Sequence, residues 1–100
     1  MDSQEKKERR KYERVPFKVD ILIDGEILSQ SLNICEDGMF LCTLQQFERD
    51  NVIRVTISSN LTVNAVVRNY QPGIGMGIKF IDLNNDQKAK IKSIIEHLKK

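Results

Sequence analysis

From Val15 onward apolar side chains return at every second position. Phe17, Val19, Ile21 and Ile23 alternate with Lys18, Asp20 and Leu22, which predicts a strand with one largely apolar face. Pro16 has no backbone N–H to give to a sheet and fits only at the start of that strand. Asp24 and Gly25 signal a two-residue hairpin, because both central residues of a type I′ turn take positive φ. A return strand is expected at about residues 26–34. The alternation then breaks over Asn33, Ile34, Cys35, Glu36, Asp37 and Gly38, and Gly38 is expected in a backbone conformation closed to other residues. Met39, Phe40, Leu41 and Cys42 resume a strand.

Residues 44–51 read as a polar loop anchored by Phe47. Ile53, Val55 and Ile57 against Arg54, Thr56 and Ser58 predict the next strand, and Ser58, Ser59 and Asn60 turn the chain. Residues 61–70 are rich in β-branched side chains, residues 71–73 form a Pro-Gly turn, and residues 75–81 are the last strand. Gly73, Gly75 and Gly77 lead into strand residues rather than a helix, so they mark a bulge or a sharp bend and not a nucleotide loop. Asn84 caps a helix with Gln87 as the reciprocal member of a capping box, and Ile91, Ile94, Ile95 and Leu98 make one apolar stripe. Six short strands and one amphipathic C-terminal α-helix most simply give a mainly β fold, a six-stranded antiparallel β-barrel with the helix covering an open face.

Composition narrows the function more than the fold. One hundred residues suit one domain, and the longest apolar run is far short of the roughly 20 residues of a membrane helix, so no membrane insertion is expected. Sixteen basic and 14 acidic residues leave a net charge of +2, too small for a protein that coats DNA or RNA. That excess lies wholly within the first 14 residues, where ten are charged; this segment is expected to be mobile without a partner, ahead of a barrel at residues 15–100. Cys35 and Cys42, seven residues apart, match no metal or redox spacing and read as reduced, cytoplasmic thiols. His97, the single histidine, sits near a helix C-terminus, where a cation is favoured by the free carbonyls, and no metal site is expected.

Two irregular stretches carry the chemistry. Arg10 and Arg14 stand at the spacing RxxxR just before the first strand, where the backbone can bend both guanidinium groups onto one ligand; the planar fork of arginine matches two phosphate oxygens or the O6 and N7 edge of guanine. Asn33, Cys35 and Gly38, at the spacing NxCxxG, end the second strand. Together these resemble the PilZ domain, whose signature is RxxxR followed by (D/N)xSxxG, and residues 75–83 resemble that family's last strand running into its terminal helix. The resemblance covers about residues 8 to 100.

What the resemblance implies is a six-stranded barrel that receives the bacterial second messenger cyclic di-GMP, with no cofactor and no catalytic residue. Arg10 and Arg14 would clamp phosphates and guanine edges, Asn33 and Cys35 would hydrogen-bond a guanine, and Gly38 would keep the turn tight. Arg9, immediately before the pair, resembles the arginine of family members that hold an intercalated dimer of the ligand. Binding would order the N-terminal segment and present a new surface to an unidentified downstream protein, with motility or exopolysaccharide output as the common outcomes in the family. Cys35 departs from the family's serine, and a thiol is the weaker hydrogen-bonding group. The alternative reading of Cys35 is a buried apolar residue in a degenerate PilZ domain that acts only as a protein interaction module. An enzyme is disfavoured, because no nucleophile is paired with a base. A single-stranded nucleic-acid binder is also disfavoured, because Phe17, Phe40 and Phe80 fall at core positions and leave too few aromatics for a stacking platform.

Overall fold

The computed structural model describes residues 14–99. Seven strands, β1 (Val15–Pro16), β2 (Asp20–Ile23), β3 (Ile27–Cys35), β4 (Gly38–Cys42), β5 (Val52–Ser58), β6 (Leu61–Gln71) and β7 (Gly75–Ile81), precede one helix, α1 (Asn85–Leu98). All pairings are antiparallel, in the order β1-β3-β2-β5-β6-β7-β4, and β4 pairs in turn with β3. Six strands therefore close into a barrel, and the two-residue β1 lies outside the ring on β3. Closure differs from the expected open face: α1 packs on the outside of a complete barrel, against β6 and β1. No described helix is long and apolar enough to cross a membrane.

The predicted first strand is broken in two. Phe17 N donates to Leu32 O and Ser31 N to Val19 O, but between them the hydroxyl of buried Ser31 donates to Phe17 O and accepts from Val19 N. A side chain thus takes the place of a ladder rung. Opposite this break β3 carries a bulge between Ser31 and Asn33. Ser29 and Ser31 point inward; the extra residue, Leu32, shifts the phase so that Ile34 is buried and Asn33 comes to the outer face. β6 is bulged in the same way between Val67 and Asn69. Leu61, Val63, Ala65 and Val67 face the core, and after them Arg68 and Asn69 are both exposed.

Asp24 and Gly25 both have positive φ and Glu26 N donates to Ile23 O, but Ile23 pairs with Ile27, so three residues rather than the expected two connect β2 and β3. Gly38 does not have positive φ, which corrects the expected reason for a glycine there. A Cβ on Gly38 would overlap the carbonyl oxygen of Ile78, so the glycine lets β4 close against β7. Phe47 is buried, as expected of a loop anchor, and Phe80 is in the core. Phe17 is only partly buried against the core, and Phe40 lies on the outer face of β4, between inward-facing Met39 and Leu41. The assignment of Phe40 to the core is thereby overturned by the strand's own period of two.

In α1 the capping box forms: Gln87 N donates to Asn84 Oδ1 at 2.7 Å and Asn84 N to Gln87 Oε1 at 2.9 Å. Gln87 Nε2 also donates to Thr62 O and Lys90 Nζ to Asn60 O, tying the helix to the barrel. Ile91 and Ile95 are buried in the core and Ile94 packs against it, whereas Leu98, in the last turn, is 37% exposed.

Candidate functional site

Arg14 is the first described residue, immediately before β1, and the pairing of Val15 with Ile34 and Pro16 with Asn33 brings it alongside the outer end of β3. There Arg14 Nη1 donates to Asn33 Oδ1 at 2.9 Å. The β3 bulge supplies the asparagine to this contact, since an unbroken alternation from Ser29 and Ser31 would turn residue 33 into the core. The bond also fixes the asparagine's orientation: its oxygen faces the guanidinium, so its amide N–H groups are the donors it has left to offer.

Around this pair lies an open groove of about 410 Å³, lined by Arg14, Asn33, Asp37, Phe40, Arg68, Asn69, Gly77, Ile78 and Lys79. Besides Arg14 and the β3 residue Asn33, four parts of the fold contribute to it. β4 gives Phe40, the β6 bulge gives Arg68 and Asn69, β7 gives Gly77 to Lys79, and the β3–β4 turn gives Asp37. Three cations and one carboxylate among the lining residues make the groove net positive. Arg68 stands 3.6 Å from Asp50, an exposed ion pair that contributes only about 0–1 kcal/mol and leaves the arginine free to exchange partners.

Cys35 does not line the groove. It is 3% exposed, and its Sγ donates to Asp37 Oδ1 at 3.0 Å. Burial pushes the thiol above its ordinary range and the hydrogen bond to Asp37 adds to that, while the charge of Arg14 opposes it. Both cysteines are free. The structure thus brings Arg14 and Asn33 together, keeps Cys35 one contact below the groove through Asp37, and gives Gly38 a role in strand closure. Arg9 and Arg10 lie outside the described residues.

Five polar, charged or aromatic lining residues escaped the sequence reading: Asp37, Phe40, Arg68, Asn69 and Lys79. For Arg68 and Asn69 a signal exists, because the inward positions 61, 63, 65 and 67 are not continued by an apolar residue at 69, and such a phase break is what a bulge writes into a sequence.

No curated protein matches the chain. A family model, the PilZ domain, matches residues 8–97. That span takes in the arginine spacing, the NxCxxG stretch, the whole barrel and nearly all of α1, and so this chain belongs to the PilZ domain family, a family of cyclic di-GMP-binding domains.

Proposed function

We propose that this chain is a cyclic di-GMP receptor without catalytic activity or cofactor, which passes the signal to a partner protein in trans. The observation that carries the reading is the Arg14–Asn33 hydrogen bond in the lining of a net-positive groove. A cyclic dinucleotide offers two phosphates and two purines, and the groove answers with guanidinium forks at Arg14 and Arg68, an ammonium at Lys79, an amide at Asn33 and one aromatic face at Phe40. Arg10 joins Arg14 on the ligand and brings the N-terminal segment with it. Because β1 touches α1, order gained at Arg14 reaches the helix surface, where a partner reads it.

Isothermal titration with cyclic di-GMP tests this. The native chain is expected to release heat on binding, and Arg14→Ala and Arg10→Ala to weaken it at least tenfold with unchanged melting temperatures. An unaltered dissociation constant in both variants would sink the site assignment. The burial of Cys35, away from the groove, is what favours the interaction-module alternative, and absence of heat with the native chain would select it.

A further inference from the structure

One feature of the groove is out of keeping with simple anion binding: an acidic residue, Asp37, lines it beside Arg14, Arg68 and Lys79. A carboxylate repels phosphate; its Oδ1 receives the Cys35 thiol, and the acceptor positions left over suit a part of the ligand that donates hydrogen bonds. Guanine has such a part. Its Watson–Crick edge runs from the acceptor O6 to the donors N1–H and N2–H₂, and two adjacent donors suit the two oxygens of a carboxylate, which accepts only. Adenine presents an acceptor at N1 and would set lone pair against lone pair.

We infer that Asp37 is the residue that selects guanine, accepting from N1–H and N2–H₂, while Asn33, whose oxygen already receives Arg14, donates to O6. The inference rests on the proposed function and goes further by naming what reads the base. Cys35 is a positioning residue in this arrangement. Its thiol holds Asp37 Oδ1 at 3.0 Å from beneath, and the carboxylate still has acceptor positions for the ligand. The backbone is held too, since Phe80 N donates to Asp37 O at 2.8 Å. The motif's third residue thus acts on the base through Asp37, which explains how a thiol can stand where the family has a hydroxyl.

The test compares cyclic di-GMP with its inosine analogue, which differs only in lacking the 2-amino groups, by titration of the full chain with each. The native protein is expected to prefer the guanine ligand by about tenfold or more, the value of a hydrogen bond to a charged group. Asp37→Ala is expected to bring the ratio close to one, and Asp37→Asn, which keeps the shape but replaces one acceptor by a donor, to lower it as well. Asp37 is exposed and the thiol it receives is only a weak donor, so both variants should melt close to the native chain. Cys35→Ala should reduce the ratio and Cys35→Ser restore it, a pattern that a purely structural cysteine would not give. If the native chain binds neither nucleotide, the proposed function fails and this inference with it. If it binds cyclic di-GMP with a ratio that neither Asp37 variant changes, the inference alone is overturned.

Discussion

Cys35 sits at the one motif position where the chemistry departs from the family pattern, and its surroundings decide what a hydroxyl would do there. In an apolar pocket an unpaired hydroxyl costs about 1–3 kcal/mol. Here Asp37 Oδ1 waits as an acceptor, so Cys35→Ser should leave the melting temperature nearly unchanged and tighten cyclic di-GMP binding by less than about tenfold. A large drop in melting temperature would mean that the serine does not reach Asp37. The thiol also sets an alkaline limit on stability. Burial and the Asp37 hydrogen bond raise its folded pKa above the ordinary 9.0, so the folded chain keeps the proton after the unfolded chain has lost it. Its contribution to stability is therefore fully present below pH 9 and is lost as pH rises through the folded value. Denaturant midpoints between pH 8 and 11 should fall more steeply for the native chain than for Cys35→Ser. Parallel curves would refute the assignment.

At the scale of elements, what was legible was local and what was missed was paired. The Asp24–Gly25 hairpin and the Asn84–Gln87 capping box each depend on neighbours in sequence, so residue type alone foretold them. The bulges in β3 and β6 depend on which strand lies opposite, and no single-strand periodicity reveals the partner. Gly38 shows the difference most clearly. A glycine read from sequence suggests a special φ, whereas here the neighbour across the β4–β7 pair demands the missing Cβ. This separates two substitutions that look alike. Gly25 has φ +78 and open space where a Cβ would stand, with no atom within 4 Å, so Gly25→Ala should cost only about 1–2 kcal/mol of backbone strain. Gly38→Ala must push β7 away at the Ile78 carbonyl and should cost about 3 kcal/mol, with cyclic di-GMP affinity falling as the groove between β4 and β7 opens. Equal losses in a urea titration of the two variants would contradict the closure argument.

Considered as a whole molecule, the barrel gathers onto one outer face residues that the chain holds more than 60 positions apart, from Arg14 to Lys79. Motif spacing pointed to Arg14 and Asn33, but Phe40, Arg68 and Lys79 arrive only because β4, β6 and β7 close the ring beside β3, a consequence of topology rather than of any local signal. The groove's cations bear on how many ligand molecules it holds. One cyclic di-GMP has two phosphates, which Arg10 and Arg14 can satisfy, leaving without phosphate partners Arg68 and Lys79 of the groove and Arg9, the sequence neighbour of Arg10. Two stacked, intercalated molecules bring four phosphates and additional guanine edges, enough together to engage all five cations. Glu8 next to Arg9 is a weak competitor, since an exposed pair of this kind contributes about 0–1 kcal/mol. The expected stoichiometry by titration is two ligands per chain, falling to one in Arg9→Leu, which removes the charge and keeps an apolar side chain of similar reach. A native chain that binds one molecule, or an Arg9→Leu chain that still binds two, would show that the number is set elsewhere. In the second case Arg68→Leu should lower it, because the bulge in β6 then supplies the cation that the second ligand requires.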